Sequence, residues 1–104
     1  MGSLPVTLEF AGGSELLFDK RQRVHDITLL SSNGDSDRWT LARLFTWVRD
    51  NLLSKNADML IRDGTVRPGV LVLVNDVDWE LLDLQNYVIK PKDKITFLST
   101  LHGG

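Results

Sequence analysis

The residues whose types and spacing could do chemistry stand at the end of the chain, Thr100-Leu101-His102-Gly103-Gly104. The expected reactive group is not a side chain but the terminal carboxylate of Gly104. A carboxylate is a poor electrophile. Joined to AMP it becomes a mixed anhydride that a thiol, persulfide or amine can attack. To be activated, such an end must thread a narrow channel in another protein, and glycine suits this because it lacks a Cβ and accepts positive φ. A frayed terminus without a role is the bland alternative. Two terminal glycines arise by chance in roughly 0.5% of chains at about 7% Gly per position, so the tail gains weight only from the rest of the sequence.

The rest offers no competing catalytic constellation. There is no cysteine, hence no disulfide framework, thiol nucleophile or Cys-based metal site, which fits a reducing compartment. The two histidines, His25 and His102, are too few and too far apart in sequence to argue a metal centre. No phosphate-binding glycine loop and no nucleophile elbow is present, so ATP must be held by a partner. A net charge of -2 gives no reason to expect nucleic-acid or membrane binding. The clusters Lys20, Arg21, Arg23 and Lys90, Lys92, Lys94 read as solvated faces or sheet edges. No apolar run reaches spanning length and no secretory leader opens the sequence, so the cytoplasm is expected.

The tail needs a body to carry it, and 104 residues predict one domain with a modest core. Leu4, Val6, Leu8 and Phe10 alternate with polar neighbours and predict a strand ending at the Gly12-Gly13 turn. Ser14 to Phe18 is too short to assign by period; Leu17 or Phe18 is expected to plug the core. Arg23 to Leu30 predicts a second strand, paired antiparallel with the first, with Val24, Ile27 and Leu29 as its apolar positions and an imperfect alternation that suggests a bulge. A polar loop follows from Ser31 to Asp37. Leu41, Leu44, Phe45, Val48 and Leu52 form one stripe of a helix capped by Asp37 or Thr40, with Trp47 at the stripe's border in a packing role. The helical pattern breaks after Lys55, where Asn56 would end it. Met59-Leu60-Ile61 predicts a short extended or helical piece stopping at Asp63-Gly64.

Arg67-Pro68-Gly69 is a turn into the continuous apolar strand Val70–Val74. Asn75-Asp76 reverses it into a short strand, Val77–Glu80. Leu82, Leu84 and Tyr87 are the expected plugs of the following connection. Pro91-Lys92-Asp93 turns into the last strand, Ile95–Ser99.

This order predicts an α+β domain in two layers: a mixed sheet of four to five strands with one main helix across one face. The first and last strands can lie side by side and parallel, since the helix supplies the long crossover. That is the β-grasp (ubiquitin-like) architecture. It divides the chain into a domain at 1–99 and a free C-terminal tail at 100–104.

Two sets of residues then carry a specific resemblance. Arg67-Pro68-Gly69 leading into Val70 through Leu81, with its Asn-Asp-x-Asp-Trp-Glu core, and the closing Thr-Leu-His-Gly-Gly resemble the eukaryotic ubiquitin-related modifier family, as does Phe10 to Phe18 around Gly12-Gly13. The likeness runs over nearly the whole chain. It departs in the Ser31–Arg38 loop and in Leu82–Asn86, which lacks a glycine often found there.

The resemblance implies a sulfur carrier rather than an enzyme, with no cofactor bound. An activating enzyme with adenylation and rhodanese-like domains would use ATP and a persulfide donor to convert Gly104 to a thiocarboxylate. A tRNA thiolase complex would pass the sulfur to the wobble uridine as 2-thiouridine. The same end could be joined to lysines of target proteins such as peroxiredoxins. Gly104 is then the thiocarboxylate and conjugation site, with Thr100, Leu101, His102 and Gly103 read by the activating enzyme. A non-covalent interaction module with an inactive tail is the alternative, its expected surface the outer face of Val70–Val74 and Ile95–Ser99.

Overall fold

The computed structural model describes residues 2–14, 23–31, 38–53 and 57–99. The first strand, β1 (Gly2–Ala11), pairs antiparallel with β2 (Val24–Ser31), from Gly2 opposite Ser31 to Glu9 opposite Val24. The register runs without a bulge, contrary to the sequence expectation. The alternation looks imperfect because β2 turns His25 inward with Ile27 and Leu29, while Val24 and Leu30 face out and are exposed. His25 is tolerated there by an edge-on contact with the Phe10 ring, centroids 5.4 Å apart.

Helix α1 (Leu41–Asn51) buries Leu41, Leu44, Phe45 and Val48. Thr40 is its N-cap, its hydroxyl accepting from the Arg43 amide at 3.3 Å; such caps contribute about 1 kcal/mol. Asp37 lies outside the described residues. The helix stops at Asn51, short of the expected Lys55: the amides of Leu52 and Leu53 both donate to the Val48 carbonyl, and Leu52 is the C-cap. Asn56, the expected terminator, lies outside the described residues, as do Leu17 and Phe18. Trp47 packs partly buried against the core, as its place on the stripe border predicted.

Two very short strands, β3 (Ile61–Arg62) and β4 (Thr65–Val66), form a separate hairpin. Asp63 and Gly64 both take positive φ, 56° and 83°, as a two-residue turn of this kind requires. A 3-10 turn, Ala57–Met59, precedes them. The Arg67-Pro68-Gly69 turn forms as expected: Val70 N–H donates to the Arg67 carbonyl at 3.0 Å and Gly69 has φ 95°.

The next strand is β5 (Leu71–Val74), then β6 (Val77–Asp78), joined through Asn75 and Asp76 at positive φ. Trp79 and Glu80 belong to a 3-10 turn, Trp79–Leu81, rather than to the strand. A second such turn spans Leu84–Asn86. Leu82 and Tyr87 pack on the core as expected, but Leu84 is exposed and does not plug it. Ile89 is buried instead, its amide bonded to the Trp39 carbonyl at 2.8 Å.

The last strand, β7 (Lys94–Leu98), lies parallel to β1 and antiparallel to β5. The main sheet therefore reads β2-β1-β7-β5-β6, with α1 as the helical layer. This is the β-grasp fold. Val6, Leu8, Phe10, Val72, Val74, Ile95 and Phe97 project into the core. Phe97 stacks on Phe10 at 5.1 Å and meets Phe45 at 5.9 Å, so the last strand is anchored by aromatic packing as well as backbone bonds.

The start of β7 is pinned by Asp93, a carboxylate only 6% exposed. It accepts from the Asn75 side-chain amide (2.9 Å), the Tyr87 hydroxyl (2.7 Å) and the Lys90 backbone N–H (2.9 Å). Burial, the hydrogen bond to Asp93 and its negative charge push the Tyr87 hydroxyl up to about 12. Because the folded pKa exceeds the unfolded one, this contribution to stability is complete below the unfolded tyrosine value of about 10. It is lost as pH rises through 12.

Tyr87 is the single tyrosine, so absorbance titration of the native protein should give one phenolate transition near pH 12. A transition near 10 would remove the Asp93 contact from the account. Tyr87→Phe should lower stability at neutral pH by about 1 kcal/mol in denaturant unfolding.

Candidate functional site

Thr100, Leu101, His102, Gly103 and Gly104 lie outside the described residues. What the structure places is the root from which they leave. Ser99 is the last described residue. It is buried, and its N–H donates to the Ala11 carbonyl at 3.1 Å, extending the β1–β7 ladder one step beyond the strand.

The turn after β1 closes against this root. Gly12 has φ 70°, and a Cβ built on it would lie 2.7 Å from the Ser99 carbonyl oxygen and 3.2 Å from the Ser99 nitrogen. Only glycine fits here, for two reasons at once: the left-handed backbone and the close approach of another chain segment. The fully buried hydroxyl of Ser14 lies 2.9 Å from the Phe97 carbonyl and 3.0 Å from the Ala11 carbonyl. It shares its one proton between the ends of β1 and β7. Sequence reading saw Gly12-Gly13 as a turn and left Ser14 unassigned. The close approach involves residues 87 positions apart, so no local pattern announces it.

The outer sheet face beside the root is apolar. The five consecutive apolar residues of 70–74 had no period from which to assign faces. The structure turns Val72 and Val74 inward and leaves Leu71 and Leu73 half-buried on the outside. Leu98 is 39% exposed and stands opposite Leu71 on one side and Ala11 on the other. The row behind it is polar, with the Thr96 hydroxyl 3.3 Å from Glu9. Lys94 bridges Asp76 at 3.2 Å and Glu9 at 3.9 Å. An apolar strip framed by charge thus lies beside Ser99 on the outer face of the sheet.

Nothing in the body competes with this site. Among the described residues there is no group of three or more His, Cys, Asp or Glu placed to hold a metal ion. His25 serves packing, and His102 lies outside the described residues. No helix among the described residues is long and apolar enough to cross a membrane.

The fold defines the class: a ubiquitin-like protein whose last sheet strand runs up to Ser99. The comparisons specify the family. The family model Urm1 (Ubiquitin related modifier) matches residues 5–104. Ubiquitin-related modifier 1 homolog 1 of Arabidopsis thaliana is 50% identical over 102 residues, covering 97% of this chain and 100% of that protein. Ubiquitin-related modifier 1 of Homo sapiens is 45% identical over 101 residues, with 97% and 96% covered. The solution structure of Urm1 from Trypanosoma brucei superposes with a TM-score of 0.76 at 37% identity, covering 100% of this chain and 99% of that one. The chain belongs to the ubiquitin-related modifier family.

Gly12→Ala should destabilise the fold by about 2 kcal/mol or more, from left-handed strain plus displacement of Ser99. Gly64→Ala carries the strain alone, since φ is 83° and no atom lies within 4 Å of its Cβ. Denaturant midpoints compare the two. Equal losses would mean that the contact with Ser99 contributes nothing.

Proposed function

We propose that this protein is a cytoplasmic sulfur carrier whose working group is the carboxylate of Gly104, and that the same activated end joins it to lysines of other proteins. The carrying observation is the buttressed root: the Ser99 N–H bonds to the Ala11 carbonyl, Gly12 packs closely against Ser99, and the Ser14 hydroxyl bonds to the Phe97 carbonyl, which fixes the body up to residue 99, ahead of Thr100 to Gly104.

Reaction proceeds on partners. In an activating enzyme the Gly104 carboxylate attacks the α-phosphorus of ATP and releases pyrophosphate. A persulfide of that enzyme attacks the acyl adenylate and AMP leaves. A second thiol then cleaves the acyl disulfide, freeing the thiocarboxylate as the two enzyme sulfurs form a disulfide. The thiocarboxylate supplies sulfur to a tRNA thiolase that makes 2-thiouridine at the wobble position. Attack by a lysine amine on the acyl adenylate expels AMP and gives an isopeptide bond instead.

Gly103 permits close approach to the nucleotide, and Thr100, Leu101 and His102 are the residues the activating enzyme reads. ATP and the persulfide are used through that enzyme and not held by this chain. The strip of Leu71, Leu73 and Leu98 is the docking surface for its adenylation domain. This strip also favours the second reading, a non-covalent module, in which the face acts and the tail is idle.

Intact-mass analysis after incubation with the activating enzyme, ATP and a sulfur donor decides between them. One oxygen replaced by sulfur at the C-terminus, lost on deletion of Gly104, is expected; an unchanged mass would leave the idle-tail reading.

The docking surface has its own check. Leu98→Glu should raise the concentration of carrier needed for half-maximal activation about tenfold or more, the scale of removing one interface anchor, with the maximal rate little altered. Unchanged kinetics would place the docking surface elsewhere.

A further inference from the structure

The two edges of the main sheet are built differently. One edge is β6, two residues long and therefore a poor template. The other is β2, eight residues long and free of proline. Phe10 N–H donates to the Arg23 carbonyl at 2.8 Å. Bonding alternates along an antiparallel pair, so His25, Ile27 and Leu29 share bonds with β1 while Asp26, Thr28 and Leu30 aim their backbone groups outward. The Leu30 carbonyl accepts from the Trp39 indole at 3.2 Å, as this parity requires, and that contact marks one end of the open edge. The outward N–H and C=O groups of Asp26 and Thr28 meet no partner among the described residues.

The face beside this edge carries a side-chain code. Val24 is 48% exposed and Leu30 70% exposed, with Asp26 and Thr28 between them. An open cleft of about 310 Å³ adjoins, lined by Pro5, Thr7, Asp26, Thr28 and Lys92 among others. Asp26 accepts one hydrogen bond, from the Thr7 hydroxyl at 2.7 Å, and forms no ion pair among the described residues.

We propose that the β2 edge binds an extended segment of a partner protein as an added strand, with one basic side chain meeting Asp26 and apolar side chains two positions to either side meeting Val24 and the methyl group of Thr28. Main-chain bonds supply affinity and the alternate side chains supply selectivity. A second copy of this chain fits less well: β2 offers Val24, Asp26, Thr28 and Leu30 on that face, so it would bring another carboxylate instead of a counter-charge. Lys92 on the wall of the cleft limits the match to a single cation. Strand β1 separates this edge from β7, so the segment is read while the tail is engaged or already conjugated.

Amide NMR of the full chain tests this with two capped pentapeptides, Val-Thr-Lys-Thr-Val and Val-Thr-Glu-Thr-Val. The first should shift the amides of Asp26 and Thr28 and slow their hydrogen exchange, and the second should bind roughly threefold more weakly, the scale of one exposed ion pair. Asp26→Lys should invert that preference. Thr28→Pro removes an outward donor but no bond to β1, so it should keep the fold and lose binding. Should Thr28→Pro fail to fold, the inversion by Asp26→Lys carries the test alone. Any of four results overturns the proposal: no shifts with either peptide, shifts confined to Leu71, Leu73 and Leu98, a preference unmoved by Asp26→Lys, or concentration-dependent shifts along β2 without peptide.

Discussion

The structure depends on backbone pairing of the last strand between two neighbours. β7 lies inside the sheet, parallel to β1 and antiparallel to β5. A strand bonded on both sides cannot peel away without breaking two ladders together, whereas an edge strand breaks one. The proposed function, in which the chain end is drawn into another protein's active site, needs that distinction, because local opening tends to begin where few bonds must break. The parallel pairing with β1 also explains the order of elements. Parallel neighbours need a long crossover, and here α1 and β5 lie between them in sequence.

Both ends of this strand are fixed by buried polar groups, and they solve different problems. At the start, Asp93 brings a carboxylate out of water. Such a group is tolerated when several donors replace the lost hydration, and three donors converge on it from Asn75, Tyr87 and Lys90. Asn75 also accepts from the Lys94 amide at 2.9 Å, tying the β5–β6 turn to the first residue of β7. At the finish, the constraint is space. The Gly12 turn lies so near Ser99 that no side chain fits, and Ser14 binds the Phe97 carbonyl, one residue before the strand ends. A charged staple at one end and a glycine contact at the other hold a five-residue strand in register.

Much of this was legible in the sequence where a pattern is local. The stripe of α1, the alternation of β1, the Arg67-Pro68-Gly69 turn and the apolar run of β5 each express a period or a backbone preference. The parallel placement of β1 and β7 followed from their order and the crossover between them. The helix end was misread because Leu52 continued the stripe, while backbone bonds to Val48 close the helix before it. The faces of β5 were unreadable because every residue was apolar. His25 and Leu30 broke the alternation of β2 for tertiary reasons: one packs against Phe10, and the other sits above a bond to Trp39. Leu84 looked like a plug, yet it follows Asp83 in two successive positive φ values, 95° and 54°, and its side chain ends up exposed. The buttress at Ser99 was not legible, because it lies in a contact between distant residues.

The division of labour follows from where reactive groups are missing as much as from where one is expected. On the proposed function, a body that carries an electrophilic acyl end must not attack it. The chain has no cysteine. Its single tyrosine is moved further from neutrality by burial and by Asp93, so the phenol stays protonated and nonnucleophilic across the physiological range. Lys94, on the outer face beside the strip, is held by Asp76 and Glu9. The charge frame around the apolar strip thus ties this amine across the sheet, to the first strand on one side and to the β5–β6 turn on the other.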